Sequence, residues 1–412
     1  MKTTSRFALA AAAGLFVGGI AFTPAKAADL GGDCCADLEE RVAELEATTA
    51  RKGNRKVSLE ISGQVNRALL VWDDGRDSDA YLTDVQHSNS RFRFIGKAKM
   101  KPGWNAGFAI EIAVNDSASS SLTQANDEGN GETVLSTRLA NWFIESEKLG
   151  RITLGQGSPP TDDIILISLA NTGGFTSLDP LLNAGFTAIN SGTTWGNLTG
   201  NNGGGVNLDS NRGDFVRYDS PSIYGFILSA AWGENDVYDI ALYFKKEWNS
   251  IRIAAGVGYY ESNEGFLSLS GSTVSNGVDY NEIKGSISLM HVPTGLYVNF
   301  AGVSREVESG AQDGVEAEAY YVQAGIEKKW LSYGATTIYG EYGTYDDFAV
   351  GIAGIDSSEV ERYGFGVAQS FDSAAIQVYA AFSFYDADIR GAVPAGDVED
   401  MSLGLIGSRI KF

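Results

Sequence analysis

The chain has 412 residues, with 52 acidic against 31 basic side chains, a net charge of −21 and 50 glycines. That acidity argues against nucleic-acid binding, which rests on Lys and Arg neutralising phosphate. The only cysteines, Cys34 and Cys35, are adjacent, so no disulfide framework can come from them.

The first residues read as an export signal. Lys2 and Arg6 precede an apolar run from Phe7 to Phe22, and Ala25-Lys26-Ala27 is a small-x-small cleavage site. The run is short for a membrane helix, so residues 1–27 are expected to be a signal peptide. Their removal takes away Lys2, Arg6 and Lys26 and no acid, which moves the net charge from −21 to about −24. Residues 28–56 then form a separate segment. Leu38, Val42 and Leu45 recur at helical spacing, which predicts a short amphipathic helix over about 36–50. Asp37 and Glu40 stand as a capping-box pair. Two roles are open for this helix: a coiled coil between subunits, or a periplasmic tether or plug. Cys34 and Cys35 fit an adjacent-residue disulfide, a cross-link between chains, or two incidental thiols. Arg51, Lys52, Arg55 and Lys56 make a basic link to the first strand.

From Val57 to Phe412 the chain reads as sixteen short stretches of alternating side chains. Val57, Leu59, Ile61 and Val65 alternate with Ser58, Glu60, Ser62, Gln64 and Asn66 in the first. Arg67 falls on the apolar parity, which marks a bulge or a protein interface. In the second, Phe92 and Phe94 oppose Arg91, Arg93, Lys97 and Lys99; in the third, 104–115, Phe108, Ile110 and Ile112 oppose Glu111. Further strands are expected near 136–146, 150–156, 212–219, 225–233, 237–247, 251–260, 280–290, 294–304, 318–329, 334–344, 359–370, 375–385 and 400–412. Their connectors alternate, long and polar then short, apart from a short odd one near Glu234. Apolar residues on one face and polar on the other suit lipid outside and water inside, and short turns at one rim with long loops at the other mark a transmembrane β-barrel. Closure of the first strand on the last would leave no edge in lipid. The expected fold is therefore all-β, an antiparallel barrel of sixteen strands over 57–412.

One connector, about 157–211, is far too long for an ordinary loop and so is expected to carry function. It holds Pro159-Pro160, Asp162-Asp163, the apolar run Ile164–Leu169, Asp179-Pro180 and a Gly/Asn-rich stretch. No enzyme motif accompanies it. His87 and His291 are the only histidines, and the chain lacks a glycine-flanked serine elbow, an HExxH and a phosphate-binding glycine loop. Paired acids such as Asp73-Asp74 and Asp346-Asp347 read as solvated loop charge. They also fit divalent cations bridging the outer loops to anionic headgroups. A channel instead needs a constriction with charge on it. The candidates are inward cations of the early strands and acids of the long segment.

Several stretches resemble a known family. Ser90-Arg91-Phe92-Arg93-Phe94-Ile95-Gly96-Lys97 resembles the second strand of general bacterial porins. Thr137-Arg138-Leu139-Ala140, Leu149 through Gly155, and Val216-Arg217-Tyr218-Asp219-Ser220-Pro221 are similar to later strands of that family, and Phe412 to its terminal phenylalanine. The segment Asp37–Lys56 looks most like that of alphaproteobacterial porins. The resemblance implies a homotrimeric outer-membrane porin whose long loop folds inward as a constriction. It would pass ions and small hydrophilic solutes with no cofactor and no metal, and would contact outer-membrane lipid and lipopolysaccharide. It places Arg91, Arg138 and Arg217 on the basic wall with Arg93 nearby, and Asp162, Asp163 and Asp179 opposite. Gln156 departs from the pattern, where a basic residue often stands, and the loop lacks a clear acidic tip. Lumen acid points to a mild cation preference. A substrate-selective barrel and an envelope tether acting through the N-terminal helix are the rival readings.

Overall fold

The computed structural model describes residues 56–129, 135–201, 207–233, 236–263, 279–309, 313–352, 354–391 and 397–412. The expected signal peptide and N-terminal helix lie outside them. The first strands are β1 (Ser58–Asp73), β2 (Ser78–Asp84), β3 (Arg91–Lys101), β4 (Trp104–Val114), β5 (Leu135–Ser146) and β6 (Gly150–Gly157). The long connector holds β7 (Thr187–Ala188), β8 (Thr193–Thr194) and a one-turn helix, α1 (Trp195–Leu198). The wall resumes with β9 (Gly213–Asp219), β10 (Phe226–Gly233), β11 (Val237–Trp248), β12 (Ile251–Ser262), β13 (Tyr280–His291) and β14 (Leu296–Val307). It ends with β15 (Glu316–Leu331), β16 (Gly334–Asp346), β17 (Ile355–Phe371), β18 (Ile376–Gly391) and β19 (Met401–Lys411).

Apart from the β7–β8 pair, these strands form one antiparallel sheet in which each pairs with its neighbour. Chain closure comes from β1 and β19, in register from Gln64↔Lys411 to Asp73↔Ser402. On its other side β1 meets β3 along its first half and β2 along its second. Those two lie end to end, so the wall is sixteen strands around. Every expected strand is present, most to within three residues, but β17 starts four residues before its expected 359 and β18 runs six past its expected 385. The addition is β2, inside what reads as a polar loop. Tyr81 and Thr83 alternate with Leu82, which is enough for a hairpin back onto Leu70 and Ala68.

Alternation decides what each face meets. Ile61, Val65, Ile110, Trp142, Leu228, Ile240, Ile283, Phe300 and Ile338 are exposed on the outer face. Aromatics ring this band on both sides: Trp232, Tyr238, Tyr320, Tyr342 and Tyr363 towards the long loops, and Phe226, Trp248, Trp330 and Tyr333 towards the short turns. That is the lipid-facing pattern of an outer-membrane barrel. Arg67 also points outward, without a bulge, and its guanidinium meets the Asp116 carboxylate at 2.8 Å.

The inner face departs from simple polarity. On β1 and β16–β19 it carries Leu70, Trp72, Tyr339, Tyr345, Tyr379, Tyr385, Leu403 and Leu405, all buried. The long connector covers them. Phe175 stacks on Tyr379 with ring centroids 4.4 Å apart, Phe186 meets Trp72 at 5.3 Å, and Trp195 meets Tyr385 at 5.7 Å. Burial of aromatic rings of this size stabilises by about 1.5–3 kcal/mol each, so the connector is a packed layer against one wall. Room for its approach is built into β12. A Cβ on Gly256 would lie 2.7 Å from Ile164 Cγ1, and one on Gly258 2.4 Å from Thr161 Cγ2. Contacts that short cannot stand, so a larger residue at either position would push the connector back from the wall.

Candidate functional site

With one wall covered, the other is left to line the lumen. The basic cluster there forms around a single acid. Glu111 on β4 is 2 % exposed and accepts a bond from Arg138 Nε at 2.7 Å. Arg93 also bonds it, and Arg91 Nη1 lies 3.7 Å from it. Arg138 reaches this point because of a bulge. The register passes from Glu111↔Leu139 to Ile112↔Thr137, leaving Arg138 as the extra residue. An extra residue re-aims its side chain, here towards the lumen. Three guanidiniums sharing one carboxylate leave net positive charge on this wall.

The connector supplies the opposing charge. Its segment from Asp162 to Leu166 hangs from the wall by Thr161, whose N–H and hydroxyl both donate to Asp239 Oδ2, at 3.0 and 2.7 Å. The Tyr243 hydroxyl donates to the Pro160 carbonyl at 2.5 Å. Asp163 has a left-handed backbone, φ 66°, and is exposed; aspartate tolerates that conformation better than most residues. Its N–H donates to Asp209 Oδ1 at 2.8 Å. Asp162 is buried; its Oδ2 accepts from Arg212 Nη2 at 2.7 Å, while its Oδ1 has no hydrogen-bond partner among the described residues. Carboxylate oxygens of Asp162, Asp163 and Asp209 lie within 4.8 Å of one another. The Asp162 charge pushes the Asp163 carboxyl above its usual range. Burial pushes Asp209 up as well, reinforced by Asp162 and Asp163. Arg212 counters this; its guanidinium resists burial but is held charged by the three carboxylates.

A cavity of about 340 Å³ lies between these parts, lined by Arg138, Asp162, Asp163, Asp179, Asp209 and Arg212 among others. Asp179 is 2 % exposed, accepts from Asn201 Nδ2 at 3.3 Å, and is pushed up to about 6 by burial. His87 also lines the cavity, and burial pushes it down to about 3, so it adds no positive charge near neutral pH.

Of the residues expected from the sequence, Arg138, Asp162, Asp163 and Asp179 line this cavity, and Arg91 and Arg93 join it through Glu111. Arg217 sits elsewhere. It pairs with Asp219 at 2.7 Å and donates to the Ser158 and Pro159 carbonyls at 2.9 and 3.1 Å, so it anchors the root of the connector. Arg212, Asp209 and Glu111 are site residues that sequence reasoning passed over. Glu111 carried a signal, a lone acid at inward parity opposite Arg93. Arg212 and Asp209 lie at the connector's far end, where no periodicity points them anywhere.

A closed barrel, greasy outside, with charged groups opposed around a lumen cavity, defines a passive membrane channel. The family comparison agrees: the Gram-negative porin model matches residues 8–390, and the chain belongs to that family. Solved structures share the fold. An anion-selective porin from Comamonas acidovorans is 15% identical over 86% of this chain and 100% of its own, with a TM-score of 0.55. OprB of Pseudomonas putida is 10% identical over 91% and 97%, with a TM-score of 0.57. OmpT of Vibrio cholerae, in trimer form, is 13% identical over 86% and 99%, with a TM-score of 0.52. No curated protein sequence matches the chain. The protein is a passive diffusion channel of the Gram-negative outer membrane, crossing it as a β-barrel.

Proposed function

We propose that ions and small hydrophilic solutes are selected by size and charge where the Arg91–Arg93–Arg138 wall faces Asp162, Asp163 and Asp209. The observation that carries this is opposed charge on either side of one cavity. Opposed charges across a narrow aqueous gap make a transverse field. It orients dipolar solutes and leaves the path wet. No step of catalysis is needed, and the chain is read as having none. A homotrimer is the proposed assembly, supported by the trimer form of the Vibrio cholerae neighbour. Outer-membrane lipid and lipopolysaccharide would meet its aromatic girdles, and Asp37–Lys56 favours an alphaproteobacterial source. Residues 1–27 are proposed to be removed on export and 28–56 to stand in the periplasm. Mature protein reconstituted in planar bilayers should give stepwise conductance in multiples of three. Silent membranes would reject the channel; single steps would reject the trimer.

A further inference from the structure

The inward face of β3 carries cations beyond those the constriction uses. Strand register puts Arg91, Arg93, Lys97 and Lys99 on one face, beside Gln64, Ser62, Glu60 and Ser58 of β1. From Arg91 to Lys99 is about 27 Å of strand at 3.4 Å per residue. That reaches from the constriction almost to the short-turn rim at Lys101–Gly103, the periplasmic end by its trimmed connectors. Side-chain exposure rises along the file, from 20% at Arg91 to 41% at Arg93 and 50% at Lys97, and Lys99 is exposed as well. Across β1 and β3–β6 the inward charges are Arg91, Arg93, Lys97, Lys99, Arg138 and Arg151 against Glu60, Glu111 and Glu145. The carboxylates offset the file only in part. Glu111 is shared by three arginines, Glu145 holds Lys97 at 3.3 Å, and Glu60 lies on the same face opposite Ile95, which still leaves six cations against three acids. Arg151 lies over the buried Phe143 ring at 3.7 Å, which fixes a further cation beside the file.

Successive charges along β3 are about 7 to 14 Å apart, close to the Debye length of about 10 Å at 0.1 M salt. Their fields therefore merge into a stripe, and low-dielectric walls focus it into the lumen. We propose that this file makes the periplasmic half of the channel select small anions bearing carboxylate or phosphate groups. The selectivity runs against the net charge of the chain and against the mild cation preference to which lumen acid points. This rests on the channel reading and names its solute class.

The test is reversal potential in a planar bilayer under a tenfold KCl gradient. Wild type should favour chloride over potassium. Lys97→Gln/Lys99→Gln should lower that ratio by about threefold at 0.1 M salt. The difference should vanish near 1 M, where the Debye length is about 3 Å. Lys99→Gln alone, at the exposed end, gives a smaller shift in the same direction and covers failure of the double variant to assemble. Lys246→Gln removes the same charge from the outer face of β11 and should leave the ratio unchanged. Liposome flux of succinate and of inorganic phosphate, each against a neutral sugar of similar size, then separates carboxylate from phosphate preference. Conducting variants that keep the wild-type ratio overturn the file. A wild type with no conductance overturns the channel reading instead.

Discussion

The two walls of the lumen use the same residue types for opposite ends. On β3–β6 the arginines crowd one carboxylate and stay partly exposed. On β13, β14 and β17 the cations vanish into the protein. Lys284 donates to the Leu208 carbonyl at 2.8 Å, Arg305 to Asn207 at 2.9 Å and Arg362 to Ser177 at 2.7 Å. Each also has an acid on the wall: Glu282 at 2.6 Å from both Lys284 and Arg305, and Glu341 at 2.5 Å from Arg362. An inward cation is thus a field source where the connector is absent and a bolt where it is present. What divides the walls is apolar: Phe175, Phe186 and Trp195 find aromatic partners on β1, β18 and the adjoining strands.

The sharpest way to break this contrast is Arg362→Met, which leaves Glu341 buried without its partner. Removing one member of a buried pair costs about 3–5 kcal/mol, so thermal unfolding in detergent should drop markedly, with noisier open-channel current as the connector loosens. Arg362→Met/Glu341→Leu should recover most of that loss; an unchanged single variant would mean the bolt holds nothing. Next is Glu111→Gln on the open wall. Its three guanidiniums keep some water, so the expected cost is smaller, about 2–3 kcal/mol, and chloride preference should rise.

Asp179 sharpens the picture through pH. Burial holds its carboxyl at about 6, above the unfolded value of about 3.9. Between those values the folded state binds more protons than the unfolded. Stability from this group is therefore present at low pH and lost as pH rises through about 6. Asp179→Asn should be more stable than wild type at pH 7 by about 1–2 kcal/mol, with a flatter dependence of Tm between pH 4 and 6. A variant whose Tm follows the wild-type curve would show that Asp179 is solvated. The smallest effect is expected at the connector's helix. The Thr194 hydroxyl accepts from Asn197 N–H at 3.2 Å, and Thr194→Ala should cost about 1 kcal/mol by loss of that cap, read by the same unfolding experiment.

Much of this was legible beforehand. Alternation such as Phe92/Arg93/Phe94 placed each wall strand and its faces, because period two is a local property that lipid and water both enforce. The bulge at Arg138 was not, since it exists only relative to β4. Lys284, Arg305 and Arg362 sat at inward parity in plain view, but nothing local distinguishes them from Arg91. Arg217 looked like a member of the constriction for the same reason and proved to be the connector's anchor.

Spacing along the chain determined that it would close into a cylinder with one long insertion, since side-chain parity and turn length are set by neighbours in sequence. Only the folded molecule decided which wall that insertion covers. Its contacts join residues far apart in the chain, as Arg362 to Ser177 across 185 positions. Burial there, and water opposite, turned identical side chains into a clamp on one side and a charged surface on the other.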